Sequence, residues 1–225
     1  PELQSEELLY SGIARYSDMM EFPSAQALWR NVYGECPIKV EVDLSGPLGS
    51  MVDRMPNGSD YDASSLVRKH TLFPYLTFSM PPGRQQEVEA KLTCRGPRPT
   101  GSILRTSNWS VKSPTYLRYC RSCAREDRNG PTGVPYWRRF HQLPGVLLCA
   151  THQDILVESS ISRAVGSGRN EFISLEQALE LGDMGEVELP NQFAESALEI
   201  ARDSLWLLQN PGTGDGRLLK RHRDW

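Results

Sequence analysis

Nowhere does the chain carry an apolar run near the ~20 residues that cross a bilayer, and no basic-then-apolar leader opens it. The sequence therefore offers no membrane span and no visible secretory signal; because it opens on Pro1 rather than Met, a missing true start stays open. Cysteine is sparse. Five residues, an odd number, do not make the paired framework of a secreted disulfide-rich domain. A reducing bacterial cytoplasm is the expected setting. There is no internal repeat, no phosphate-cradling glycine loop and no nearby pair of carboxylates, so the usual signatures of a hydrolase or nuclease are missing.

What is present is ordinary for a globular protein: 225 residues, 39% apolar and 24% charged. That supports one or two domains with a packed core. The net charge of −3 is unevenly spread. From Arg105 to His141 eight Lys/Arg face two acids, whereas from Glu171 to Gln209 nine acids face Arg202 alone. A basic middle and an acidic later segment suggest surfaces with different partners, although either segment alone reads equally as a solvated face.

Helix signals dominate the first part. Ser5 with Glu6 and Glu7 reads as a helix start, with Leu8, Leu9, Ile13 and Ala14 on one face. Ser24 caps a second helix that Gly34 stops. A third is expected over Pro47 to Val52, a fourth from Asp62 or Ser64 through His70 to Pro74, and a polar one from Arg84 to Leu92. Short helices joined by short turns fit a helix-turn-helix type of bundle, and other small bundles equally. A Pro/Gly-rich stretch from Gly96 to Gly101 marks a boundary. Residues 102 to 160 read as strands and turns; helices follow over Ser174 to Leu181 and Pro190 to Leu208. A Gly-rich linker then leads to Arg217–Trp225, which looks like the opening of another helix. The expected fold is mainly α with a small zinc-ribbon β module. It has a helical N-terminal domain over 1–95, the zinc module over 96–160, and a helical segment with linker over 161–225.

Cys120-x-x-Cys123 and Cys149-x-x-His152 are the strongest signal. Two-residue spacing lets both side chains of a tight turn converge on one ion, and two such turns complete a tetrahedral shell. Thiolates plus one imidazole suit zinc. A closed shell leaves no place for water, so one structural zinc ion is expected rather than a catalytic one. The apolar lead-ins Tyr116–Tyr119 and Val146–Leu148 fit a ribbon. A redox Cys-x-x-Cys lacks its βαβ setting, and a Cys/His nucleophile pair has no recognisable context. Cys36 and Cys94 read as buried or free thiols, and His70 as a packed core histidine. His141 either packs inside the ribbon or meets a phosphate. Arg118, Arg121, Arg125 and Arg128 beside Trp137-Arg138-Arg139 offer phosphate-binding charge, while Tyr136 and Trp137 read as ribbon core.

Four segments carry a family resemblance: Leu9 to Tyr16, Leu66-Val67-Arg68-Lys69-His70-Thr71-Leu72-Phe73-Pro74, Tyr119 to Asp127, and Pro135 to His152. In this order they resemble the TniQ/TnsD proteins, the target-selection subunits of heteromeric bacterial transposons and of CRISPR-associated transposons. The resemblance spans residues 9 to about 156. It implies a helical DNA-binding-type domain, a Cys3His zinc module and a variable helical region, working as an adaptor without enzymatic activity. Such an adaptor marks a target by binding attachment-site DNA or by docking on an RNA-guided CRISPR effector complex. It then recruits an AAA+ ATPase regulator of the transposase. A second TniQ/TnsD copy is a further partner in view.

The expected DNA-facing residues are Arg118, Arg121, Arg125, Arg128, Arg138, Arg139 and His141. For the ATPase, the expected contact is the start of the chain, with Glu6, Glu7 and Leu8 forming an exposed acidic and apolar anchor. The acidic stretch from Glu171 to Asp203 is the alternative surface.

Overall fold

A computed structural model of the chain describes residues 2–34, 42–43, 47–56, 59–96, 111, 113–163 and 171–210. Cys36, the linker past Asn210 and the helix start expected at 217–225 lie outside them. The described architecture is mostly helical with one small sheet. Helices α1 (Leu9–Met20), α2 (Ala25–Tyr33), α3 (Leu48–Val52), α4 (Ala63–His70), α5 (Phe73–Thr77) and α6 (Pro82–Leu92) come first. Strand β1 (Tyr116–Tyr119) leads into α7 (Arg121–Asn129), and β2 (Val157–Ser162), α8 (Leu175–Leu181), β3 (Asp183–Glu186) and α9 (Ala194–Gln209) follow.

Local chemistry explains several helix starts. Ser24 accepts the Ala27 N–H at the start of α2, and Asp62 accepts the Ser65 N–H at the start of α4. Ser174 and Gln177 form a reciprocal capping box on α8. The helix expected to run on to Pro74 instead ends at His70, and Pro74 sits in the first turn of α5. Proline disfavours helical backbone just before it and is tolerated in a first turn. Thr71 fills the gap, donating its hydroxyl to the Val67 carbonyl and accepting the Phe73 N–H. Gly49 has a packing reason: a Cβ there would lie 2.5 Å from the Thr93 carbonyl oxygen, so α3 meets the end of α6 only without a side chain.

The chain start departs most from expectation. Helix α1 begins at Leu9, not near Ser5, because the backbone before it is used elsewhere. Glu7 forms an antiparallel bridge with Arg138; Leu8 N–H donates to the Trp137 carbonyl (2.9 Å) and Arg139 N–H to the Glu6 carbonyl (3.0 Å). Backbone groups committed to a partner segment cannot join a helical ladder.

The sheet has the order β1-β2-β3 and is antiparallel throughout. Arg118 stands opposite Glu158, and Glu158 opposite Gly185. One cluster of buried apolar side chains runs from Leu8 through Trp137 and Val157 to Leu208, so the three expected segments share a core. Trp137 sits at their junction, fully buried. Its backbone N–H donates to Ser11 Oγ and its indole N–H to the Ile173 carbonyl, each at 2.9 Å, and its ring meets Tyr119 edge-on. Among the described residues no helix is long and apolar enough to cross a membrane.

Candidate metal centre

The four residues with metal-ligand spacing come together. Cys120, Cys123, Cys149 and His152 place their ligand atoms within 4.8 Å of one another. Cys120 directly follows β1 and is the N-cap of α7; Cys123 lies in the first turn, with its N–H aimed at Cys120 Sγ (3.4 Å). The first pair therefore stands at a helix N-terminus and not in a ribbon turn. The second pair occupies a turn held by Gln153 N–H on the Cys149 carbonyl and Cys149 N–H on the Asp154 carbonyl. A bridge between Leu148 and Ile155 closes that turn at its base.

Spacing tests the fit. With metal–sulfur bonds of about 2.3 Å and a metal–nitrogen bond of about 2.0–2.1 Å, a tetrahedron puts sulfurs about 3.8 Å apart and sulfur and nitrogen about 3.5 Å apart. Cys123 and Cys149 Sγ are 3.7 Å apart; His152 Nδ1 lies 3.5, 3.3 and 3.7 Å from the sulfurs of Cys120, Cys123 and Cys149. The donor set suits a single tetrahedral ion. Without a cation the three thiols share too little stabilisation to ionise together. Hydrogen bonds from Cys120 and Cys123 push Cys149 far down, whereas bonding to Cys120 and Cys149 with burial pushes Cys123 far up.

Residues outside the spacing motif support the site. His152 Nε2 lies 2.9 Å from Glu126 Oε1, which leaves Nδ1 as the nitrogen turned to the sulfurs. Burial opposes protonation of His152, but Glu126 and Cys149 outweigh it and raise its pKa. Carboxylate partners of this kind orient a ligating imidazole and raise its basicity. His141 is almost wholly buried and faces the Cys149 sulfur; burial lowers its pKa. The spacing of Glu126, three residues past Cys123, was legible only once α7 was known to be a helix. Replacing Glu126 by Ala is expected to weaken metal affinity about 10- to 100-fold while leaving the fold intact at saturating metal. Competition with a chromophoric chelator measures it, and an unchanged affinity would reduce Glu126 to a surface contact.

Most of the expected DNA-facing residues are used internally. Arg118 pairs with Glu158 at 2.8 Å and also donates to the Val146 carbonyl. Arg138 makes two bonds to Asp127, at 2.7 and 2.8 Å, and stacks 4.3 Å over Tyr136. Arg139 is 5% exposed, bonded twice to Glu6 and once to the Arg68 carbonyl. His141 lies in the core. These four are engaged inside the chain: each guanidinium spends donors on its carboxylates or carbonyls, and His141 is buried. Arg121 and Arg128 are exposed but paired, with Asp183 and Glu186 and with Glu176. Arg125 stands on the exposed face of α7 and, among the described residues, bonds only to Ser122 Oγ.

The exposure expected of the chain start is not found. Glu7 and Leu8 are fully buried, Glu7 held by Arg15 through two 2.8 Å bonds, and Glu6 is the partner of Arg139. His70 is the core histidine it was read as, with Nδ1 2.9 Å from the Glu7 carbonyl oxygen.

The family model described as TniQ matches residues 1–156, from the buried N-terminal segment to just past His152. The chain belongs to the TniQ family. It is also 27% identical, over 175 residues, to the transposon Tn7 transposition protein TnsD of Escherichia coli. That alignment takes in 78% of this chain but 34% of the relative, so the chain spans about a third of that protein's length. The TniQ match encloses the whole metal quartet and both internal arginine clusters.

Proposed function

We propose that this TniQ chain is a non-enzymatic target-selection adaptor of a Tn7-like transposon, built around one structural zinc ion. It contacts target DNA and passes that event to an AAA+ ATPase regulator of the transposase. The observation that carries the reading is the family match over residues 1–156, with a closed quartet of Cys120, Cys123, Cys149 and His152 inside it. Four protein donors leave no open position for a reacting water, which favours a structural ion. Bound there, zinc would supply folding energy rather than chemistry.

The DNA contact is reassigned by what remains free. Arg30 on α2, Lys69 on α4 and Arg125 on α7 are exposed and lack a carboxylate partner among the described residues. Two of the three stand on the N-terminal bundle, which suits a helical, DNA-binding role for it. Replacing all three by Ala is expected to weaken binding to any duplex alike. Each lost phosphate contact should lower the salt slope by about one unit. Salt-dependent titration of labelled duplex DNA measures this.

A second reading has its own support. Arg118, Arg121, Arg128, Arg138 and Arg139 are neutralised within the chain, which suits an adaptor that docks on an RNA-guided complex and touches little DNA. No salt-dependent duplex binding by the intact chain would favour that reading.

A further inference from the structure

An apolar cavity of about 300 Å³ opens between the N-terminal segment, α1, α2 and the end of α3. Leu9, Ile13, Val32, Met51 and Met55 form its walls. Leu3 completes them by lying across Gly12, where a Cβ would come within 2.1 Å of its Cδ2. Three polar groups at this cavity have donors to offer. Arg54 is exposed and has no carboxylate partner among the described residues. The Asn31 carboxamide oxygen is taken by the Tyr16 hydroxyl (3.0 Å), which leaves its N–H2 group to donate. Tyr61 Oη accepts the Leu3 N–H (2.9 Å), which leaves its O–H to donate.

An apolar cavity rimmed by a guanidinium, an amide N–H2 and a hydroxyl is complementary to a bulky apolar side chain beside a carboxylate. Two methionines in the wall suit an adaptable protein contact. We propose that this cavity is the docking site for an acidic, apolar segment of a protein partner, with one large side chain inside and its neighbouring carboxylate on Arg54. The proposal rests on the adaptor reading, to which it adds a recruitment surface in place of the internally engaged Glu6–Leu8 segment.

The methionines give the test a local reporter. In the whole chain with 13C-labelled methionine methyls, the peptide Ac-Asp-Phe-Leu-Asp-NH2 is titrated in low salt. The methyls of Met51 and Met55 are expected to shift saturably while that of Met184, exposed on β3 and not in the cavity lining, stays put. R54E and the Asn-for-Asp peptide should each weaken binding at least tenfold, R54K should restore most of it, and S59W should block the cavity. Shifts that ignore Arg54 and Ser59, or no shift at millimolar peptide, overturn the proposal. So does self-association that R54E abolishes without any peptide binding, since the occupant is then a second copy. Duplex DNA binding is followed on the same variants. R54E that loses DNA affinity, with Met51 and Met55 unmoved by peptide, places Arg54 on a phosphate and sinks the cavity proposal while the adaptor reading stands. Loss of DNA binding in the intact chain with peptide binding preserved has the opposite meaning.

Discussion

Cys149→Ser is expected to abolish metal binding and to unfold far more than the turn that carries it. Structural zinc in small modules supplies apparent free energies of about 10–16 kcal/mol at neutral pH, comparable to the whole ~5–15 kcal/mol stability of a domain. Here the site is joined to the shared core. Cys120 follows directly on β1, and Trp137, whose neighbour Arg138 is tied to α7 through Asp127, packs against Tyr119 and bonds to Ser11 of α1. Loss of the ion should therefore loosen α1 together with the sheet. Elemental analysis of the purified chain should give one zinc per chain, and C149S should give none with a lost or strongly lowered melting transition. The ion should be held at neutral pH and released as pH falls, because protons compete for the same thiolates and imidazole. Iron, an empty site in a stably folded chain, or a Cys120–Cys123 disulfide would each refute the assignment.

Arg139→Ala should be far more damaging than Arg125→Ala, and damaging to the fold rather than to DNA binding. Its side chain is 5% exposed, and it satisfies both oxygens of Glu6, at 2.8 and 3.1 Å, and the Arg68 carbonyl at 2.7 Å. Removing Arg139 leaves a half-buried carboxylate and a carbonyl unpaired, a loss of about 1–3 kcal/mol. Urea unfolding measures the effect, and DNA affinity per folded molecule should not change. E6Q combined with R139M should recover part of the loss, since replacing both partners removes the stranded charge. Arg125→Ala is the contrast, leaving stability alone and altering only the salt-dependent contact. A destabilisation by R139A no larger than that by R125A would mean that the Glu6–Arg139 pair does not hold the chain start in place.

Much of the metal site was legible in the sequence because its signal is local. Two residues between ligands let one turn present both side chains to an ion, and Cys and His are the usual donors of structural zinc sites. Helix starts at Ser24, Asp62 and Ser174 were legible for the same reason: a cap acts on an N–H three residues away. The helix of α7 was not. A run of Arg, Ser and Glu after a Cys-x-x-Cys carries no apolar stripe, and its register comes from Cys120 capping it and from Asp127 facing Arg138. Strand β3, with the sequence Asp-Met-Gly-Glu, lacks strand character; pairing with β2 makes it one.

The sequence alone thus determined which four side chains could hold a metal ion, their grouping in two pairs and the family to which the chain belongs. Only the tertiary structure decided which charges meet water. Arg138 finds Asp127 across 11 residues, Arg118 finds Glu158 across 40, and Arg139 finds Glu6 across 133. Composition counts all of these as basic surface. A charge turns inward only where folding brings an opposite charge to it, because burying it alone would cost too much. That meeting depends on how distant segments pack, and no spacing along the chain records it.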